Sequence, residues 1–178
     1  KDMSINLGVA ADTQFVLGDG TTEPQGLAVG LTGTSTVPGV VAPTADSLIT
    51  ALHSVAPQYR KAGRMHWVFA DATIAAIRAL KDTTDQYLWQ SGLAAGQPDE
   101  LLGYPIISSS DVAVAGANAK VGYFVDMDRF VVRQTPMRIE RSADYAWLND
   151  LATYRALISV DSKVTDAAAG VILTNEAA

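Results

Sequence analysis

The chain has 178 residues, no cysteine and a formal net charge of −6, so it holds no disulfide, no thiolate metal site and no thiol nucleophile. That acidity, with a sequence pI of about 4.7, opposes a nucleic-acid surface, which needs clustered Lys and Arg to neutralise phosphate. Apolar residues make up 48% and charged residues 18%, a globular composition with enough chain for one domain or two small subdomains.

Ile5, Leu7, Ala10, Ala11 and Phe15 have the spacing of a helix's last turns. The chain then changes character, with six glycines and two prolines (Pro24 and Pro38) between Gly18 and Gly39, which is turn chemistry. Gly30 to Pro43 accordingly reads as an extended loop. Thr44 is placed to cap the next helix, with Asp46 and Ser47 in its first turn. Leu48, Ile49, Leu52, Val55 and Tyr59 fall on one face of that helix, and Pro57 predicts a kink within it. The only basic cluster, Arg60-Lys61-Arg64, sits at the helix end, where cations suit the dipole. Met65 to Ala70 reads as a short apolar strand, and Asp71 as the N-cap of a second helix buried through Ile74, Ile77 and Leu80.

From Lys120 the period falls from 3.6 to 2. Val121, Tyr123, Val125 and Met127 alternate with Gly122, Phe124 and Asp126, and Met137, Ile139 and Arg141 with Arg138, Glu140 and Ser142. Ala152, Tyr154, Ala156, Ile158 and Val160 alternate with Thr153, Arg155, Leu157 and Ser159. These predict half-buried strands in an antiparallel meander, turning near Asp128 and at Asp161-Ser162-Lys163, with Tyr154, Ala156 and Ile158 facing the core. Helices followed by strands give an α+β class. The sequence has no internal repeat, and no apolar run approaches the ~20 residues that span a bilayer.

Catalytic signatures are few. No Gly-x-Ser-x-Gly elbow occurs, and Ser108-Ser109-Ser110 has no neighbouring His. Gly18-Asp19-Gly20 follows a helix and lacks the third glycine of a dinucleotide fingerprint, and no phosphate loop exists. His53 and His66 lie 13 residues apart, outside helical zinc spacing. Asp126-Met127-Asp128 could offer two carboxylates on one strand face to a cation, although a turn explains them better. Asp19 with Glu23 could form a glycosidase-like carboxylate pair, against the ordinary reading of Asp beside Gly as a turn. Trp67, Trp89 and Trp147 are widely spaced, which favours core packing over a stacking platform. The sequence thus designates no catalytic, cofactor-binding or metal-binding residue and no cofactor.

Several segments carry information through their order. A helix leads into Phe15-Val16-Leu17-Gly18-Asp19-Gly20-Thr21, then Pro24-Gln25-Gly26-Leu27. Met65-His66-Trp67-Val68-Phe69, Ile74 to Asp82, Gln86-Tyr87-Leu88-Trp89 and Leu101-Leu102-Gly103-Tyr104-Pro105-Ile106 follow. In this order they resemble the major capsid proteins of tailed bacteriophages, the Hong Kong 97-like fold, over most of the 178 residues. The likeness is to the C-terminal part of a family member. It implies that an N-terminal arm, an extended hairpin loop and most of a spine helix precede Lys1, an opening residue that fits a fragment or processed product.

On that resemblance, residues 1–17 end the spine helix of a peripheral domain and 18–124 form an axial domain. Residues 125–157 supply peripheral-domain strands, and 158–178 return a strand, through Val171-Ile172-Leu173, to the axial domain. The implied function is structural and non-enzymatic: a major capsid (head) subunit of a tailed phage or prophage. Its partners are other copies of itself, in hexamers and pentamers of an icosahedral shell, and scaffold or decoration proteins, with neither membrane nor sequence-specific nucleic acid. It is made in the bacterial host cytoplasm and located in the virion capsid. Alternatives are an encapsulin-type shell and, from another class, a carbohydrate-processing enzyme or binding module. Some capsids of this fold are locked by Lys–Asn isopeptide bonds beside a buried Glu. Counted from Trp147, the Asn position falls here on Asp150, one residue from Asn149, and the Glu position on Leu157. The resemblance therefore implies a shell without crosslinks.

Overall fold

The computed structural model describes residues 2–38, 42–61, 64–82, 84–88, 100–114, 116–146 and 151–176. Helix α1 (Asp2–Leu17) ends at Gly18, and the chain loops to a single turn, α2 (Leu27–Gly30), before strand β1 (Gly33–Val37). The expected loop from Gly30 to Pro43 therefore contains a strand. Gly, Thr and Ser dominate β1, so its own propensity is weak. It is fixed by a parallel register with β10 (Gly170–Asn175), in which Ser35 faces Leu173.

Helix α3 (Ala45–Ser54) begins as expected, with the Thr44 hydroxyl accepting from the Ser47 N–H at 3.3 Å. Pro57 does not kink it. The helix stops at Ser54, and Pro57 opens a separate short helix, α4 (Pro57–Lys61), where its missing N–H costs nothing. Ile49, expected on the buried face, is 45% exposed. Strand β2 (Met65–Phe69) leads directly into α5 (Asp71–Arg78). Asp71 is the first helical residue of α5, not its cap; Ala70 occupies the cap position, with no side-chain hydrogen bond. Ile74 and Ile77 are buried, while Leu80 lies past the helix end and packs on the core only in part.

Strands β3 (Glu100–Leu101), β4 (Tyr104–Ser108) and β5 (Lys120–Asp126) complete a six-stranded sheet in the order β1-β10-β5-β2-β4-β3. Both faces are covered. On one, α3 and α5 bury Val37, Leu48, Trp67, Phe69, Ile77, Phe124 and Leu173. On the other, Val16 of α1 and Leu27 and Ala28 of α2 pack on Val68, Tyr123, Val125 and Ile172. This doubly covered position explains why β5 is buried from Val121 to Asp126 on alternate and intervening residues alike, where a half-buried strand was expected. Trp67 sits at the centre. Its ring stacks on Phe124 at 4.2 Å between centroids, and its Nε1 donates to the Leu101 carbonyl at 3.0 Å. Gly122 leaves the room that the Phe69 ring fills.

Beyond Asp126 the chain leaves this sheet through a 3₁₀ turn, Met127–Arg129, so the boundary expected at 124/125 falls inside β5. The expected meander is replaced by two separate antiparallel pairs. Strand β6 (Phe130–Gln134) pairs with β9 (Val160–Val164), and β7 (Arg138–Ala146) with β8 (Leu151–Leu157). Asp161, Ser162 and Lys163 lie within β9 and are not a turn. On β8, Tyr154 is 56% exposed and Ala156 only partly buried, while Ile158, just past the strand, is partly buried in a cleft with Leu7, Ala11 and Phe15 of α1. The core-facing assignment is therefore wrong for Tyr154. Alternation correctly marked the strand, but among the described residues no layer covers the Tyr154 end of the face it marked.

Candidate assembly surface

The turn after α1 is built by one carboxylate. Asp19 accepts from the backbone N–H groups of Thr21 (2.8 Å), Thr22 (3.0 Å) and Glu23 (3.0 Å), and from the hydroxyls of Thr21 and Thr22, both at 2.8 Å. These donors, the Thr21 N–H foremost, hold its carboxyl far below the usual aspartate range. The carboxylate is thus engaged in turn chemistry, to which Glu23 contributes its backbone N–H. The loop closes on itself through the Gly26 N–H, which donates to the Gly18 carbonyl at 3.0 Å. A Cβ on Gly26 would lie 2.6 Å from the Gly18 nitrogen, so only glycine permits this approach.

The same loop holds β9, and through it the β6–β9 pair. The Gln25 N–H donates to the Ser162 carbonyl at 3.0 Å, and the Ser162 hydroxyl returns a bond to the Gln25 carbonyl at 3.0 Å. The Gln25 side-chain oxygen accepts from the Val164 N–H at 3.2 Å. Phe15 meets Phe130 edge-on at 5.9 Å. Elsewhere on α1, the Ser109 hydroxyl donates to Asp12 at 2.9 Å, and the Thr13 hydroxyl to Asp111 at 3.1 Å. Helix α1 is therefore tied both to the six-stranded body and to the β6–β9 pair. Tyr59 adds a further tie by donating to Asp166 at 2.5 Å, which lowers the carboxyl and raises the phenol.

The remaining candidates for chemistry are dispersed. The Asp126 carboxylate accepts from the Asp128 N–H at 3.1 Å and caps the 3₁₀ turn, while Asp128 pairs with Arg64 at 3.2 Å. His53 lies beside Arg60 at 3.3 Å, and His66 against the Arg64 carbonyl at 2.9 Å. Among the described residues, no three His, Asp or Glu side chains gather as a metal site, and no helix is long and apolar enough to cross a membrane. Trp67 is a core residue; Trp89, Trp147, Asn149 and Asp150 lie outside the described residues.

What the surface does carry is unpartnered apolar area. On the β7–β8 ribbon, Ile139 pairs with Ala156 and Arg141 with Tyr154 along one face, where Ile139 is 62% exposed. The other face bears a charge relay, Arg138 to Glu140 at 3.3 Å and Arg155 to Glu140 at 2.5 Å. A two-stranded ribbon with both faces open is marginal in water, and exposed apolar stripes of this kind mark contact surfaces. Sequence reasoning missed these residues because period-two alternation reports which residues share a face and is silent on whether that face is covered.

The sequence matches the phage capsid family over residues 1–175. The chain belongs to that family. Among solved structures, this capsid-family chain is similar to the capsid of a native GTA particle, with a TM-score of 0.83 and 24% identity, covering 99% of this chain and 64% of that one. Gordonia phage Cozz gives a TM-score of 0.68 at 16% identity, over 99% of this chain and 62% of that one. An encapsulin complex from Synechococcus elongatus PCC 7942 gives 0.67 at 15% identity, over 98% and 64%. The chain thus spans about two-thirds of the length of these structures, and its α+β architecture is the Hong Kong 97-like capsid fold. No curated protein matches the sequence.

Proposed function

We propose that the chain belongs to a major capsid subunit of a tailed phage or prophage, whose work is packing against copies of itself in an icosahedral shell. The match to the phage capsid family across residues 1–175 carries this reading. The open faces of the β7–β8 ribbon, which a lone subunit leaves in water, agree with it. In this reading the six-stranded body is the axial domain around a capsomer centre, in hexamers and pentamers. Helix α1 with the β6–β9 and β7–β8 pairs forms the peripheral part. The subunit catalyses no reaction, is made in the host cytoplasm and resides in the virion, where scaffold or decoration proteins can be further partners.

A second reading, an encapsulin-type shell around cargo, draws support from the likeness to the Synechococcus elongatus encapsulin. Expression of the full-length protein followed by electron microscopy tests both readings. Closed particles of megadalton mass are expected, and a protein that stays monomeric under all conditions refutes them. Packaging and tail genes beside the coding sequence favour the virion, and a cargo-enzyme gene favours the encapsulin.

A further inference from the structure

Strand β7 follows β6, and β9 follows β8, so the two antiparallel pairs lie end to end with a break between their ladders. The break is one residue wide. Gln134 pairs with Val160 and Arg138 with Leu157, so Thr135, Pro136 and Met137 face only Ile158 and Ser159, as in a β-bulge, where a strand bends. The bonding is altered there too. The Thr135 N–H donates to the Ser159 carbonyl at 2.9 Å, but the Ser159 N–H goes to the Thr135 hydroxyl at 3.0 Å, where an unbroken ladder would use the backbone carbonyl. Pro136 has no N–H to give.

The two sides of the bulge differ in their support. On the near side, Gln25 bonds β9 and Phe15 packs on Phe130 of β6. On the far side, Arg138 and Arg155 both pair with Glu140 within the ribbon, and Ile139 and Tyr145 stand out in solvent. Beneath the bulge, an apolar cleft of about 250 Å³ separates the ribbon from α1. Leu7, Gly8, Ala11 and Phe15 line it on the helix, and Met137 and Ile158 on the ribbon. A Cβ on Gly8 would meet no atom within 4 Å, and Met137 is 49% exposed. An apolar side chain beside an apolar cleft it does not fill gains buried area by moving in.

We infer that the β7–β8 ribbon is an arm hinged at this bulge, which closes onto α1 by seating Met137 in the cleft over Gly8. The motion leaves the ladders on both sides of the hinge intact, since the residues that turn are those already outside them. Strand β7 has nine residues and so extends about 30 Å, and a rotation of about 10° at the bulge carries its far end by about 5 Å. On the capsid reading, on which this use of the arm rests, rings of five and of six copies meet their neighbours at different angles. An arm with an open and a closed setting lets one sequence serve both.

Pulsed electron-spin distance measurement on the 178-residue chain tests it, with labels on Thr50→Cys in α3 and Tyr145→Cys near the end of β7; the chain has no cysteine of its own. Two populations should appear, separated by about 5 Å. Gly8→Leu fills the seat from the helix side, where an added side chain has room, and should remove the closed population with unchanged circular dichroism. Deleting Pro136 leaves two residues facing two, so the ladder runs unbroken, and should give one narrow distance. One narrow distance in the parent, or two populations in unchanged proportion in either variant, would overturn the hinge. Such a result leaves the capsid reading intact, because that reading stands or falls on shell formation by the full-length protein.

Discussion

Tyr123 lies at the middle of β5, fully buried, and its hydroxyl has no hydrogen-bond partner among the described residues. It packs among Val16, Leu27, Val68, Val125 and Ile172, a setting that desolvates the hydroxyl without compensation. Tyr123→Phe keeps the ring and removes the orphan. Leaving a polar group buried and unpaired costs about 1–3 kcal/mol, so the variant should be more stable than the parent by about 1 kcal/mol at pH 7 once lost contacts are subtracted. For a domain of this size that raises the melting midpoint by roughly 2–4 °C. Burial also pushes the phenol from 10.0 up to about 12. A folded-state value above the unfolded one stabilises fully below pH 10 and is lost as pH rises through 12, because the unfolded chain ionises first. The parent should therefore lose roughly 3 kcal/mol across that window from this group, and Tyr123→Phe should not. Urea titrations at pH 7 and at several points between pH 10 and 12 measure both effects. A variant less stable than the parent at pH 7, or one with the same alkaline slope, would show that the hydroxyl is satisfied and the reasoning wrong.

Trp67→Ala should cost about 3–5 kcal/mol for the lost indole, read as a large fall in urea midpoint. Asp19→Ala should flatten the acid limb of the stability curve. Its depressed carboxyl contributes above the usual aspartate range and is lost as pH falls through the lowered value, so an unchanged acid midpoint would count against the turn assignment. Light scattering coupled to gel filtration should find the 178-residue chain as a monomer or small oligomer, since it spans about two-thirds of the GTA capsid structures it resembles; homogeneous megadalton particles would contradict this. Mature particles of the full-length protein, boiled in detergent, should run as a single subunit band, and a ladder of covalent multimers would refute the expected absence of crosslinks.

The local signals in the sequence were reliable where one segment determines its own structure. Thr44 caps α3 because its hydroxyl needs only Ser47, three residues on. The turn at Asp19 forms from donors within four residues of it. Met65 to Phe69 is apolar enough to declare itself a strand. Errors arose where the answer lies elsewhere in the chain. Gly33–Val37 is a strand only because β10 arrives beside it, and a Thr- and Ser-rich segment gives no sign of a distant partner. Tyr154 alternates like a core residue, but core status depends on a covering layer, which the described residues do not provide over it. The left-handed backbone at Leu102, with φ of 53°, was unreadable for a similar reason. Leu-Leu-Gly-Tyr-Pro stands out as a motif, yet the strain on Leu102 exists only once Leu101 pairs with Tyr104.

The position of β10 has a consequence for how the protein is made. It is the last of the described strands, yet it lies inside the sheet, with β1 on one side and β5 on the other. Until Gly170–Asn175 leaves the ribosome, β1 has no strand to pair with and β5 has only β2. A nascent subunit therefore cannot complete its core, however long it waits, and closing the sheet brings together segments from opposite ends of the chain, an ordering that slows folding. A stop codon just before Gly170 would remove the strand that joins β1 to the rest of the sheet.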